Sequence, residues 1–507
     1  MPKIIAVIFA TMFSLGMSYL MLLGAGFSDS PSIIEIGLFS LLLLSLFYSQ
    51  KAFYVLLVPI VLLYVFYTPI GLKFGAPSYQ YVASVFATDL KESQEFFSQI
   101  PLKNFLMAGA ILLLLIANRW FIRRYQLDFA RNKTFVVLGF LLFFLHSSSA
   151  KFLQEGTTSI EKVIAELKRL NSLSIESRWG KSQLVDSNYD DYVLIIGESA
   201  RKDYHHAFGY PVENTPFMSN AKGTLVDGLT AGGTNTIASL KLMLTQPDTQ
   251  KWEGDYSLNL VDLVKSAGIK TYWLSNQGYL GTFDTPISAI AKKSDEAVFL
   301  KAGDSLNQNI SDFKLLPKFK QLLHQKAAGK RFIVLHLYGS HPISCDRLTD
   351  YPSIFEPEKI AKKYHNVNCY ISSIKKTDEL LKQVHQALVE NKGNRRFSMI
   401  YFSDHGLAHH ITENSIEIHN SSGKSKLHLD IPLFKISSDD QQQQRITAFK
   451  SGLNFTNGIA NWIGIRNERL NPHRSLFSAV DDESDYGLKK IIESFDVELD
   501  PAVVIPQ

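Results

Sequence analysis

The chain has 507 residues, 46% of them hydrophobic, and a formal net charge of +4 from 52 basic and 48 acidic side chains. That length leaves room for more than one domain. The basic residues are dispersed apart from one loop, which excludes the concentrated basic surface that nucleic-acid binding needs.

In chain order, the first 150 residues hold five long apolar stretches, at about 4–23, 33–48, 53–72, 105–122 and 134–146. The first, third and fourth approach the roughly 20 residues that cross a bilayer. The second and fifth are shorter and reach that length only with weakly polar flanks. A cleaved signal peptide is the other reading of the first stretch, but its apolar core is long for that role and more spans follow at once. If five spans alternate, Lys3, Lys51 and the cluster Arg119, Arg123, Arg124, Arg131, Lys133 share one side, which the positive-inside rule makes cytoplasmic. The loops at 24–32 and 73–104 then lie on the other side, with everything after about residue 150. Glu35, the one acid in a membrane stretch, reads as a snorkelling or capping residue before a functional one.

Residues 151–190 form a polar connector, and the apolar spacing within 160–170 predicts an amphipathic helix on the membrane surface or on the soluble domain. From 191 to 507, short apolar runs alternate with helical stretches. Strands are expected at 192–197, 271–275, 332–338, 397–402 and 431–436, and helices at 258–267, 357–388 and 480–494. Such alternation predicts an α/β domain with a mainly parallel sheet flanked by helices on both faces. The run Asp439-Asp-Gln-Gln-Gln-Gln444 is a solvated loop.

Ligands of open α/β sheets bind outside the carboxyl ends of the strands. Glu198 follows the first expected strand, Ser340 and His341 the third, and Asp404-His405 the fourth, within Ser403-Asp-His-Gly406. Adjacent oxygen and nitrogen donors suit a borderline metal such as zinc. His336 lies inside its strand and reads as a core residue. His409, His410, His419 and His428 form a histidine-rich stretch in which any single histidine, taken alone, is structural or exposed. The segment Gly232-Gly-Thr234-Asn-Thr236-Ile-Ala-Ser239 predicts a loop opening into a helix N-terminus, which binds anions. Either a threonine there attacks phosphorus, or Thr234 or Thr236 merely caps the helix. The two cysteines, Cys345 and Cys369, both lie in the exported part; an even count there suggests one disulfide, with two buried free thiols as the alternative.

At these residues the chain resembles the bacterial phosphoethanolamine transferases of the lipid A and lipopolysaccharide-core type, in the alkaline phosphatase/sulfatase superfamily, to which the mobile colistin-resistance transferases are related. The resemblance spans nearly the whole chain. Gly197-Glu-Ser-Ala-Arg201 resembles the family's Gly-Glu-[Ser/Thr]-x-Arg, and Gly233-Thr-Asn-Thr236 its nucleophile segment, whose second threonine maps to Thr236. Gly339-Ser-His341 and Ser403-Asp-His-Gly406 match as well. His419 most resembles the last family histidine, with His410 and His428 as alternatives because of a length change.

The resemblance implies a five-helix transmembrane domain over 1–150, the connector over 151–190 and a sulfatase-like catalytic domain over 191–507, set in the bacterial inner membrane with the catalytic part in the periplasm. Glu198, Thr236, Asp404 and His405 would hold one zinc ion. His341 and His419 would bind the phosphoryl group, or a second zinc, and assist proton transfer. In the outer loop, Thr88 and Glu92 match the lipid-headgroup segment, whereas Ser84 stands where asparagine is usual. Gly232 and Leu242 replace a cysteine pair that often brackets the nucleophile, and Lys241 stands where proline is common. Ser275-Asn276-Gln277 and the Cys345 and Cys369 positions look more like the core-sugar branch. The implied partners are phosphatidylethanolamine as donor, lipopolysaccharide as acceptor and membrane lipids; the chain is expected to act as a monomer.

Three other readings stand beside this one. A glycerol-phosphate transferase of the lipoteichoic-acid-synthase type shares the five spans, but the Thr88–Glu92 segment and the double threonine favour ethanolamine. A membrane-anchored sulfatase or phosphodiesterase is the second; the formylglycine motif of a sulfatase is missing, since no Cys-x-Pro-x-Arg or Ser-x-Pro-x-Arg occurs. The third is a non-enzymatic membrane assembly protein.

Overall fold

The computed structural model describes residues 3–28, 30–47, 49–77, 94, 96–127, 137, 141, 148–171, 175–279, 285–302, 308–391, 393, 395–420, 425–482, 485–493 and 499–506. Ser84, Thr88 and Glu92 therefore lie outside the described residues. The chain forms two compact units with a break between Ala165 and Glu166.

The first unit contains α1 (Lys3–Gly24), α2 (Ile33–Leu46), α3 (Gln50–Phe74) and α4 (Leu102–Arg124). Three of them, α1, α3 and α4, are long and apolar enough to cross a membrane, so the protein is membrane-anchored. The 14 residues of α2 extend about 21 Å, short of a hydrocarbon core of roughly 30 Å. The fifth expected stretch falls almost wholly outside the described residues, so a count of five spans has no support among them. Glu35 sits in a capping box at the start of α2: Ser32 Oγ accepts the Glu35 N–H and Glu35 Oε2 accepts the Ser32 N–H, each at 3.2 Å. Asn118 Nδ2 of α4 donates to Ser14 Oγ of α1 at 2.7 Å, a polar tie of the kind that joins helices where no hydrophobic drive exists. The amphipathic helix α5 (Ser148–Asn171) contains the break between the units.

The second unit is built on an eight-stranded sheet. In chain order its strands are β1 (Asp191–Gly197), β2 (Thr224–Thr230), β3 (Lys270–Tyr279), β4 (Glu296–Ala302), β5 (Arg331–His336) and β6 (Phe397–Ser403). A separate hairpin follows, β7 (Ala408–Ile411) with β8 (Ile416–His419), then β9 (Leu433–Ser437) and β10 (Gln444–Ser451) complete the sheet. The order across it is β10-β2-β9-β6-β1-β5-β3-β4. The sheet is mixed, because β9 runs antiparallel to both β2 and β6 while the other pairs are parallel. All five expected strands are present. Those the pattern missed, β2, β4 and β10, carry polar or charged residues that break a continuous apolar run, such as Asp227 in β2 and Glu296 and Lys301 in β4. The central strands β1 and β6 are buried along their whole length, as a sheet covered on both faces requires.

One face packs α6 (Thr236–Met243), α7 (Leu260–Ser266) and α10 (Phe455–Ile463) through Leu240, Met243, Val264 and Ile459. The other packs α8 (Leu315–Leu323) and α9 (His365–Asn391) through Phe319, Leu381 and Val384. The expected helix at 258–267 corresponds to α7. That at 357–388 begins later, at His365, and of that at 480–494 only Leu488–Glu493 is helical among the described residues.

At the amino end of β1, Asp191 is buried between two arginines. Arg331 donates to its two oxygens at 2.7 and 2.8 Å, and Arg395 at 2.7 and 3.0 Å. Burial opposes the charge, but these bonds outweigh it and hold the carboxyl below the ordinary range. Since the folded-state pKa is depressed, the stabilisation is present above the unfolded value near ~4 and is lost as the pH falls through the folded one. Asp191→Ala leaves the 2%-exposed Arg331 side chain charged and unpaired, and is expected to cost about 3–5 kcal/mol. Denaturant unfolding of variant and parent measures this; a difference below about 1 kcal/mol would mean that solvent reaches the pair.

Candidate active site

The carboxyl ends of β1 and β6 bring Glu198, Asp404 and His405 together, all three nearly inaccessible to solvent. One ligand atom from each lies within 4.8 Å of the others. The backbone enforces this. Ser199, directly after Glu198, is held in the left-handed region at φ 58°, and strain of this kind persists where surrounding bonds over-determine it. Here its N–H donates to Asp404 Oδ1 at 2.9 Å, its hydroxyl to Glu198 Oε1 at 2.6 Å, and its carbonyl accepts from the Tyr370 hydroxyl at 2.6 Å. Gly406 closes the other loop: a Cβ there would lie 2.7 Å from the His428 carbonyl oxygen.

Asp404 Oδ1 also accepts the His405 N–H at 2.7 Å, whereas Oδ2 is buried without a hydrogen-bond partner. His405 Nδ1 donates to the Gly406 carbonyl at 2.7 Å, which directs Nε2 toward Glu198 Oε1 at 3.2 Å and Asp404 Oδ2 at 3.6 Å. Burial, and next the charge of Glu198, push Asp404 up to about 8. Burial alone would lower His405, but Asp404 and Glu198 overcome it and raise it to about 9. Glu198 is held well below the usual range: burial opposes its charge, and His405 and then His341 outweigh the burial. Two buried carboxylates and an imidazole this close demand positive charge. An orphaned carboxylate oxygen and an imidazole nitrogen whose tautomer is set by a backbone carbonyl fit a divalent cation.

Thr236 stands at the edge of this cluster, partly exposed, at the first position of α6. Capping falls to neither threonine. Asn235 is the N-cap, accepting the Ala238 N–H at 2.9 Å, and Thr236 Oγ1 instead donates to Glu198 Oε2 at 2.9 Å. Ser239 Oγ, one turn on, donates to the Asp404 carbonyl at 2.6 Å and ties α6 to the loop that carries Asp404 and His405. Gly232 and Leu242 do face one another: a Cβ at Gly232 would lie 3.2 Å from that of Leu242, so packing occupies the place of the absent cysteine pair.

Several supporting residues escaped the sequence pattern. Gln277 Nε2 donates to Glu198 Oε2 at 3.1 Å and to the Leu337 carbonyl at 2.8 Å. Asp312 accepts the N–H groups of Tyr338 and Gly339 at 2.8 and 2.9 Å and Asn276 Nδ2 at 2.7 Å, which fixes the loop leading to His341. Gly339 is required in that loop: it has φ +45°, and a Cβ would meet the Glu198 N at 2.9 Å. Gln277 follows the expected strand 271–275 and figures only within Ser275-Asn276-Gln277, and Asp312, in a turn just before α8, gives no sequence signal of its own.

The histidines separate by environment. His341 is partly exposed and stacks on Tyr338 with ring centroids 4.7 Å apart. His419 ends β8 and donates from Nδ1 to the Asn420 carbonyl at 2.6 Å. His410 is exposed, His336 is buried in β5, and His428 is bonded to Asp500. Cys345 and Cys369 are joined in a disulfide, so the grouping of these sulfurs with His365 offers no thiolate to a metal.

The sulfatase family profile matches residues 190–465. A Haemophilus influenzae protein named "Putative phosphoethanolamine transferase" is 55% identical, covering 82% of this chain and 86% of that protein. Phosphoethanolamine transferase OpgE of Escherichia coli is 32% identical, covering 80% and 79%. The chain belongs to the phosphoethanolamine transferases of the sulfatase family. It is thus a transferase. Among solved structures, the integral membrane lipooligosaccharide phosphoethanolamine transferase A of Neisseria meningitidis shares the fold at a TM-score of 0.61, with 17% identity over 92% of this chain and 96% of that one. The periplasmic domain of Escherichia coli EptC, solved as a zinc complex, does so at 0.51, with 20% identity over 59% and 89%.

Proposed function

We propose that this enzyme moves phosphoethanolamine from phosphatidylethanolamine to lipopolysaccharide, at lipid A or a core sugar, with Thr236 as the covalent carrier. The observation that supports it most is the Thr236 hydroxyl, 2.9 Å from Glu198 Oε2, beside a buried cluster whose Asp404 Oδ2 has no hydrogen-bond partner. Glu198, Asp404, His405 and Thr236 would hold one zinc ion. When bound, zinc lowers the pKa of a neighbouring hydroxyl and offsets charge on phosphoryl oxygens.

The residues then divide the work. Thr236 Oγ forms a bond to phosphorus as the bond to the diacylglycerol oxygen breaks, and diacylglycerol leaves with a proton. An acceptor hydroxyl or phosphate next attacks phosphorus and Thr236 Oγ departs. The backbone N–H groups at the start of α6 orient the phosphoryl oxygens. His341 and His419 bind the group and transfer protons. The Nδ1 bond of His419 to Asn420 puts its basic nitrogen at Nε2, the tautomer a general base needs. In this reading Thr88 and Glu92, with Ser84 in the place of asparagine, meet the lipid headgroup. Residues 1–150 anchor the chain in the bacterial inner membrane, 151–190 connect, and 191–507 work in the periplasm.

A donor assay with purified full-length protein tests this. Diacylglycerol should be released from phosphatidylethanolamine and not from phosphatidylglycerol, and lipopolysaccharide from cells carrying the gene should gain phosphoethanolamine. Release from phosphatidylglycerol alone would replace the reading with glycerol-phosphate transfer.

A further inference from the structure

His409 and His428 belong to the histidine-rich stretch, yet both are bound to one carboxylate, that of Asp500 in the C-terminal segment 499–506. The His409 N–H donates to Asp500 Oδ2 at 2.9 Å and its Nδ1 meets Oδ1 at 2.7 Å; His428 Nε2 meets Oδ2 at 2.8 Å. Arg201 reaches the same oxygen at 3.4 Å from Nη1, and its Nη2 donates to the Asp500 carbonyl. The side chains of Arg201 and His409 are 0% exposed and that of His428 7%. The tautomers are consistent: His409 donates from Nδ1 to Asp500 and accepts at Nε2 from the Tyr204 hydroxyl at 2.5 Å.

The position of this carboxylate is what matters. His409 lies in the first strand of the β7–β8 hairpin that ends at His419, and His428 lies beyond that hairpin, so one side chain joins the start of the hairpin to the segment after it and limits the hairpin's freedom. The segment from His409 to His428 is tied at the same place to the loop that carries Asp404 and His405, because the Gly406 N–H donates to the His428 carbonyl at 3.0 Å. Arg201 links it to the Glu198 loop and donates from Nη1 to the Leu407 carbonyl at 3.3 Å. The C-terminal segment is itself held by Asp203, which accepts the Ala502 N–H at 2.9 Å, and by the Tyr204 hydroxyl, which accepts the Val503 N–H at 3.0 Å.

We propose that Asp500 is a positioning residue for phosphoryl transfer, acting through His409 and His428 to fix the segment that presents His419. This rests on the function proposed above. The full-length, zinc-loaded protein is compared with Asp500→Ala and Asp500→Asn for thermal unfolding, zinc content, kcat, KM and amide exchange over residues 407–428. Asp500→Ala should stay folded with full zinc, lose about 10- to 100-fold in kcat with KM within about twofold, and exchange faster over 407–428. Asp500→Asn retains an acceptor and should recover part of both losses. An unchanged kcat, or a loss that merely tracks lost zinc or lost folded protein, overturns the role. If Asp500→Ala does not fold, Asp500→Asn decides alone: parental rate together with parental exchange overturns it. The phosphoethanolamine adduct of the parent is followed in the same experiment. Its absence refutes the transfer reading, and the exchange arm then decides whether Asp500 holds the segment. An adduct in the parent beside a fully active Asp500→Ala refutes the role of Asp500 only.

Discussion

Purified Thr236→Ala, given phosphatidylethanolamine, is expected to form no phosphoethanolamine adduct and to lose roughly 10³-fold or more in transfer, the scale on which loss of a covalent nucleophile is felt. The structure makes this a clean test. Helix α6 is capped by Asn235, so alanine at 236 removes no cap and the helix start should survive. The lost bond, Thr236 Oγ1 to Glu198 Oε2, leaves an acceptor that Gln277 Nε2 still occupies. The fold should therefore stay near parental while the adduct disappears, and zinc content, to which Thr236 would give one of four ligands, is measured alongside. Thr236→Ser, which keeps the hydroxyl, should retain adduct formation. Intact-mass measurement reads all three proteins, and an adduct of unchanged yield in the alanine variant would refute the assignment.

The second large effect concerns the ligand cluster. Asp404→Asn is expected to lower zinc affinity by well over the 10- to 100-fold that loss of an outer partner costs, and to abolish transfer with it. In the metal-free parent, the raised pKa of Asp404, about 8, means that ionising it opposes folding; its contribution is lost as the pH rises from the unfolded value near ~4 to the folded one. His405, raised to about 9, acts in the same sense, its contribution being full below ~6.5 and gone above the folded value. Glu198, depressed, contributes above its unfolded value and loses that contribution only in acid. Metal-free protein should thus lose stability steadily between about pH 4 and 9, whereas zinc-loaded protein, in which the cation replaces those protons, should not. The gap in Tm with and without chelator should widen with pH. In Asp404→Asn the metal-free loss should be smaller, since one of the two opposed carboxylates is gone. A gap that is constant from pH 5.5 to 8.5 would mean that these groups do not bind the ion.

The strands that deliver the site were readable because they are central. β1 and β6 are covered on both faces, so their residues form unbroken apolar runs, and a polar residue directly after such a run stands out. Glu198 and Asp404-His405 do so. The edge strands β4 and β10, and β2 beside β10, were not readable, because polar and charged residues such as Asp227, Glu296, Lys301 and Arg445 interrupt their apolar runs. The choice among the histidines was not readable either, because His409, His410, His419 and His428 look alike in one dimension.

The sequence by itself determined the kinds of parts: apolar helices long enough to cross a membrane, an alternating α/β domain, two strand ends bearing oxygen and nitrogen donors, and a threonine at a helix start. These follow from periodicity, length and local backbone preference, which neighbouring residues set. Only the tertiary structure decided what each polar group bonds to. Asn235 rather than a threonine caps α6, Gln277 rather than solvent meets Glu198, and Asp500, about 300 residues from Arg201, joins His409 to His428. Such pairings depend on which atoms arrive together once the apolar faces are buried. Burial then makes each unpaired polar group costly, and so selects its partner from wherever in the chain the fold has brought one.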